Sequence, residues 1–271
     1  MIRRRARRAG ARALVAYALA TLTVLPLLWL FVTVLKPADE MFRASLPSRV
    51  TFGNLSYVLT EMPLPRYLLN SALVSLVVTA FALLFHSMAA YALARLRFPG
   101  RNMIFSAILS TLLVSLPAIL VPLFVVAREL NMLDSYAGLI VPSIFNAFGI
   151  FLLRQYYLDF PRELEEAAEL DGCGYLRLYW SIILPLSRPM LASLGVLFFL
   201  ANWNAFLWPL TITRDPDLRV IQLGIAGLQG QYSSSWNYVL AASLIAAIPT
   251  MIVFFLGQKW LIESMKTTGL K

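Results

Sequence analysis

The sequence predicts an all-α integral membrane protein with six transmembrane helices, and three observations carry that prediction. Of its 271 residues, 59% are hydrophobic and only 14% are charged, against about 45–50% and about 25% in ordinary soluble domains; the mean hydropathy is +0.73. Six apolar stretches, 14–35, 67–94, 103–127, 136–153, 190–212 and 238–257, contain no Lys, Arg, Asp or Glu, and roughly 20 such residues cross a hydrocarbon core of about 30 Å. The cations are also unevenly divided among the segments between the stretches.

The first stretch follows M-I-R-R-R-A-R-R, and Ala18-Leu19-Ala20 resembles a signal cleavage site. The apolar run continues for about fifteen residues beyond it, too long for a signal core, so an uncleaved anchor is expected. Segments 36–66 and 213–237 then lie on one side of the membrane with a tight connection around 131–135, and the segments around 95–101 and 154–189 lie on the other side with both termini. With the termini cytoplasmic, the inner segments hold 16 of the 23 Lys and Arg and 7 of the 14 acids. That is the positive-inside asymmetry expected of a protein of the bacterial cell membrane. The net charge of +9 is therefore topological and points to no nucleic-acid partner. No internal repeat or low-complexity linker divides the chain, so 1–271 reads as one membrane domain.

One cysteine, Cys173, and one histidine, His86, exclude a disulfide framework, a Cys-rich zinc site and an iron–sulfur cluster held by this chain alone; no metal site is expected. His86 is the one classically titratable side chain within a span. Alone on an Ala- and Leu-rich helix it reads better as a hydrogen-bonding group of the bundle than as a proton relay. Asn70 and Asn146 are read in the same way.

The inner segment 154–189 carries the densest signal. Asp159 is placed as an N-cap, Pro161 suits a first helical turn, and Glu163, Glu165 and Glu166 sit where the positive end of the helix dipole favours acids. Gly172 supplies a stop by adopting positive φ freely. A second helical piece with Tyr175, Leu178, Tyr179, Ile182 and Ile183 follows, ended by Leu184-Pro185 and Pro189. Helix, sharp turn, helix is the expectation, lying across the cytoplasmic face. Paired-carboxylate catalysis by Glu165, Glu166, Glu169 and Asp171 is the weaker reading, since no His or metal partner accompanies them.

Glu166-Ala167-Ala168, three residues, Gly172, nine residues, Ile182, one residue and Leu184-Pro185 resemble the E-A-A motif of membrane subunits of ATP-binding cassette importers. Asp171 and Pro189 fit its usual extension, while Cys173 stands where that family commonly has Ala. The resemblance implies the type I importer fold and a coupling helix that docks on an ATPase subunit. It assigns Glu166 to a charge contact, Ala167 and Ala168 to close packing and Gly172 to the turn, with Glu165, Asp171, Ile182, Leu184 and Pro185 completing the coupling loop. It further implies a second homologous permease subunit in a heterodimer, two ATPase subunits and an extracytoplasmic substrate-binding protein. The chain has no G-x-x-x-x-G-K-[ST], so ATP and Mg²⁺ belong to the separate ATPase and this chain is a non-catalytic subunit without a cofactor of its own.

The fifth stretch contains A-N-W-N-A-F-L-W-P-L from Ala201 to Leu210, similar to the W-N-x-F-x-x-P-L stretch of maltose-type carbohydrate permeases. A-Y-A-L-A-R-L-R-F-P-G-R from Ala90 to Arg101 and the C-terminal Gln258-Lys259-Trp260 with Thr268-Gly269-Leu270-Lys271 resemble the same group. Asn202, Trp203, Asn204, Phe206 and Trp208 are accordingly expected along a sugar pathway, because Asn amides donate to and accept from hydroxyls and Trp faces pack on pyranose C–H faces. The opposing view places these Asn against neighbouring helices and the Trp in an interfacial belt. The resemblance implies that the outer segments 36–66 and 213–237 receive the binding protein; Gln229, Gln231, Tyr232 and Trp236 make the second flexible and polar enough for that contact, although a mere polar connector would look similar.

A sugar importer working by ATP-driven alternating access is therefore the leading expectation. The same machinery carrying glycerol phosphate or another polar solute is second; a phosphate would favour Arg or Lys along the spans, which have none. A secondary transporter or channel is disfavoured by the charge-free spans, and an integral-membrane enzyme by the want of a catalytic set.

Overall fold

The computed structural model describes residues 2–231 and 236–268, with side chains over 14–229 and 236–261. All regular elements among them are helical: α1 (Ile2–Val34), α2 (Gly53–Thr60), α3 (Leu64–Arg95), α4 (Arg101–Ser110), α5 (Leu116–Glu129), α6 (Tyr136–Ile144), α7 (Ala147–Leu158), α8 (Glu163–Leu170), α9 (Tyr175–Leu178), α10 (Leu184–Leu186), α11 (Arg188–Trp203), α12 (Leu207–Ile212), α13 (Ile221–Gln231) and α14 (Trp236–Thr268), with short 3₁₀ turns and one π turn at Tyr179–Ile183 between them.

Three single helices are long and apolar enough to span, at Leu14–Val34, Leu64–Arg95 and Trp236–Leu261. The other three candidates are helix pairs bent at a break, and the bend of the last lies ahead of the expected 190–212. The α4 and α5 segments meet at 107°, α6 and α7 at 41°, and Tyr175–Leu186 meets α11 at 74°. Hydropathy detects apolar length and is blind to direction. The breaks fall where the backbone loses a helical donor or gains a competing cap, at Pro117 in the first turn of α5 and at Asn146, whose side chain accepts from Phe148 N at 3.0 Å.

The chain forms two compact units, one of residues 1–65 and 224–248 and the other of 66–223 and 249–271. In the first, the apolar side chains of Leu14–Val34 are mostly exposed, as lipid-facing side chains are. Asn54 of α2 closes the end of α1, its Nδ2 donating to the Val34 and Lys36 carbonyls at 2.8 and 2.9 Å. Its Oδ1 accepts from Asn237 at 2.8 Å, and Tyr57 stacks on Tyr238 with ring centroids 4.0 Å apart.

The second unit is cored by α3, α7, the hairpin after α8 and α11, through residues such as Ala90, Leu153, Tyr157, Ile183 and Phe198. Buried hydroxyls knot this core: Ser87 Oγ lies 2.6 Å from Tyr157 OH and accepts from Tyr179 OH at 2.8 Å. His86 Nε2 accepts the Asn146 backbone N–H at 3.0 Å, satisfying an amide freed by the break between α6 and α7. A second cluster joins Val78 of α3 to Leu139 of α6 and to Trp208 and Ile212 of α12. There Asn70 donates to the Asp217 and Arg219 carbonyls at 2.8 and 2.9 Å and accepts from Tyr136 OH at 2.7 Å. His86, Asn70 and Asn146 thus all serve the bundle's own backbone.

Two local expectations are corrected. Asp159 ends α7, and the N-cap position of α8 is Arg162, without a side-chain cap bond. Segment 213–237, expected to be flexible and polar, contains α13, because Ile221, Ile225 and Leu228 recur at helical spacing and are buried.

Candidate functional site

The short helix α8 forms as its first turn predicts, with Glu163, Glu165 and Glu166 at the positive end of its dipole. It ends in a Schellman motif: Cys173 N donates to Ala168 O at 2.9 Å and Gly172 N to Glu169 O at 3.0 Å. Gly172 takes φ +76° there, where a side chain would be strained.

The helix has two faces. Glu163, Glu166, Ala167 and Leu170, at i, i+3, i+4 and i+7, are exposed. Leu170 is 90% exposed, a large apolar side chain with nothing over it that the motif alone did not single out; its helical spacing from Ala167 is the signal that places it. The inward face carries Ala168, buried in the core, and Glu165, whose Oε1 lies 3.1 Å from Arg95 Nε. Burial pushes the Glu165 carboxyl up and the Arg95 guanidinium opposes that rise. Between α8 and the turn after α3 lies an open groove of about 1250 Å³, lined by Arg95, Arg97, Arg101 and Arg162 and by Glu165, Glu166 and Glu169.

The remaining residues of the loop divide the same way. Asp171 is exposed at the helix end. Ile182 and Leu184 pack against the core, and half-buried Pro185 sits in the first turn of α10. These three fasten the hairpin to the spans, and they do not share the outward face with Glu166. Ala168 likewise packs inward, and Ala167 is the alanine left exposed.

In the fifth span α11 stops at Trp203 and α12 resumes at Leu207, so the chain is broken in the middle of the Asn- and Trp-rich stretch. Asn202 and Asn204 each donate to the carbonyl four residues earlier, Phe198 and Leu200, at 2.8 Å. Asn204 is exposed and its Oδ1 accepts from Gln222 Nε2 at 3.1 Å. Phe206 is also exposed. Trp203 and Trp208 are only 2% and 5% exposed; Trp208 Nε1 donates to the Gly138 carbonyl at 2.9 Å. Both indoles are therefore packed within this chain, whereas Gln222, unremarked in the sequence, joins Asn204 at its surface.

In segment 213–237 Gln229 and Trp236 are exposed; the side chain of Gln231 and all of Tyr232 lie outside the described residues. The base of this segment is fixed by Asp134, whose carboxylate accepts the backbone N–H groups of Asp215, at 2.9 Å, and of Arg214. Those two bonds hold its carboxyl below the usual range.

Residues 86–267 match the family described as binding-protein-dependent transport system inner membrane component. The chain is 35% identical, over 93% of each chain, to the arabinooligosaccharides transport system permease protein of Halalkalibacterium halodurans. It is 34% identical to the sn-glycerol-3-phosphate transport system permease protein of Yersinia pestis, over 90% of this chain and 91% of that one. It is 31% identical to the lactose transport system permease protein of Rhizobium radiobacter, over 91% and 90%. Among solved structures, a bacterial ABC transporter involved in import of the acidic polysaccharide alginate superposes with a TM-score of 0.81 and 25% identity, covering 93% of this chain and 95% of that one. A charge-free set of spans, a capped acidic helix in the E-A-A spacing and these matches agree: the chain is a multi-pass member of the inner-membrane component family of binding-protein-dependent ABC transport systems.

Proposed function

We propose that the chain is the permease subunit of an importer that moves a sugar or oligosaccharide into the cytoplasm by ATP-driven alternating access. One observation carries the reading: α8 presents Glu166, Ala167 and Leu170 outward beside the tight Gly172 turn. A small residue permits close approach, an exposed leucine fills an apolar socket, and the neighbouring carboxylate takes a charge-assisted bond. An ATPase subunit is the partner such a face fits, and it supplies the nucleotide and Mg²⁺ site. Two ATPases, a second homologous permease subunit and an extracytoplasmic binding protein complete the assembly. Both termini are cytoplasmic by the distribution of Lys and Arg, and the whole chain serves as one permease domain.

The sugar reading is supported by the exposed Asn204–Gln222 pair, neutral groups that donate to and accept from hydroxyls. A second reading, import of a polyol phosphate, is favoured by the 34% identity to the glycerol-phosphate permease. The test is hydrolysis of ATP by the reconstituted transporter with its binding protein, across arabinooligosaccharides, lactose, alginate oligosaccharides and sn-glycerol 3-phosphate. Severalfold stimulation by one of the sugars is expected. Stimulation by sn-glycerol 3-phosphate alone establishes the second reading, and stimulation by none of them refutes both.

A further inference from the structure

Arg95 closes α3, a helix of 32 residues and so about 48 Å long at 1.5 Å per residue. Of the three single-helix spans it is the one with no proline in its interior; α1 carries Pro26 and α14 carries Pro249. Proline interrupts the hydrogen-bond ladder and is the commonest cause of a kink, and the interior of α3 has none.

Both ends of this rod are tied by side chains. At the inner end Arg95 Nε stands 3.1 Å from Glu165 Oε1, the two side chains being 6% and 17% exposed. The same guanidinium donates to the carbonyl of Phe160, in the link that enters α8. Neither Arg95 Nε nor Glu165 Oε1 has an aligned hydrogen bond of its own among the described residues, so charge attraction between two largely buried side chains joins them at the edge of the groove. Arg154 of α7 braces the same end, donating from Nε to the Leu93 carbonyl at 3.2 Å while lying 3.9 Å over the Phe105 ring. At the outer end Asn70 holds the Asp217 and Arg219 carbonyls, and Ser71 Oγ accepts the Ile221 N–H at 2.7 Å. The outer segment that leads into α13 is thus fastened to the same helix that grips α8.

A buried ion pair is a weak device for stability, because desolvation offsets its attraction. It is a strong device for fixing two elements in one register, since displacing either charge leaves the other buried and unpaired. Glu165 is half-buried where its neighbours Glu166 and Ala167 are exposed, so the pair is made on the inward side of α8.

We infer that the Arg95–Glu165 pair is the strut by which displacement of α8 is passed to α3, and through α3 to the outer segment 213–221. Arg95 is thereby a positioning residue for the transport step. The inference rests on the permease reading, in which α8 is moved by an ATPase.

The test uses the assembled transporter with nitroxide labels at Phe98→Cys and Glu163→Cys in a Cys173→Ala background, measured before and after trapping with ATP and vanadate. With the strut intact the label separation stays constant within about 2 Å, well under half of a helical pitch. In Arg95→Glu or Glu165→Arg, trapping shifts or broadens it by roughly one pitch, about 5 Å, and the double reversal brings it back. Glu165→Gln, which keeps the size and removes the charge, carries the same expectation should a reversal fail to assemble. Single variants that track the wild type, or a double variant as displaced as the singles, overturn the strut alone. A wild-type assembly that traps no nucleotide overturns the permease reading beneath it.

Discussion

Replacing His86 with leucine keeps an apolar side chain of similar bulk in the core but removes the acceptor for the Asn146 backbone N–H, 3.0 Å from Nε2. That amide lies at the break between α6 and α7, where neither lipid nor helix offers a substitute. An unsatisfied buried donor costs about 1–3 kcal/mol. The edge-on contact between the imidazole and Phe198, with centroids 5.4 Å apart at 78°, adds roughly 0.5–1.5 kcal/mol. His86→Leu should therefore destabilise the protein by about 2–4 kcal/mol. For a chain of this length that lowers the thermal midpoint by roughly 5–10 °C, read by tryptophan fluorescence of the purified protein in nanodiscs. His86→Gln retains an acceptor and should lose less than half as much. Gly149 gives an independent check, because a Cβ there would stand 2.5 Å from Phe198 Cζ and 2.6 Å from His86 Nδ1. Gly149→Ala should cost about 1–3 kcal/mol by overpacking. A His86→Leu protein as stable as the wild type, or His86→Gln falling as far as His86→Leu, would refute the capping role.

Gly172→Ala meets no atom within 4 Å yet must adopt φ +76°. It should cost about 1 kcal/mol of backbone strain, seen as faster proteolysis within 163–174 with the spans intact; protection equal to wild type would count against the turn. Glu165 gives a pH prediction. Burial raises its carboxyl above the ordinary 4.5 despite Arg95, so the folded chain holds that proton more tightly than the unfolded one. The resulting stability is present below 4.5 and lost as pH rises through the raised value. Glu165→Gln removes that pH dependence but leaves the Arg95 guanidinium unpaired, so it should be less stable than the wild type at pH 7 with a flatter stability profile from pH 4.5 to neutrality; a slope as steep as the wild type's would contradict it. Asn204→Leu combined with Gln222→Leu should leave ATPase association unchanged and weaken sugar-stimulated hydrolysis severalfold, whereas unchanged stimulation would remove the pair from the pathway.

The parts legible in the sequence are those set by one-dimensional pattern. Apolar length located the spans, and the acids of the first turn with Gly172 defined α8. What escaped was direction. The 107° turn after α4 depends on backbone geometry near Ser115 and Pro117 that a hydropathy run does not encode. Helix α13 was hidden because Gln222, Gln229 and Gln231 dilute an apolar face formed by Ile221, Ile225 and Leu228. The two faces of α8 follow from spacing, but which one turns inward depends on Arg95, seventy residues upstream of Glu165, reaching its carboxylate. Trp203 and Trp208 looked like sugar platforms by residue type. Their burial comes from tertiary neighbours such as the Gly138 carbonyl, which no local pattern names.

On the proposed function, this chain moves solute only when an ATPase drives α8. The most direct test is uptake into proteoliposomes loaded with ATP, assembled with and without the ATPase subunit and with Glu166→Lys in this chain, using whichever sugar stimulates hydrolysis. Uptake that requires the ATPase and the binding protein, and that falls at least about tenfold in Glu166→Lys, equivalent to about 1.4 kcal/mol, while hydrolysis persists, is the predicted result. Sugar uptake by this chain without any ATPase, or full uptake in Glu166→Lys, would contradict it.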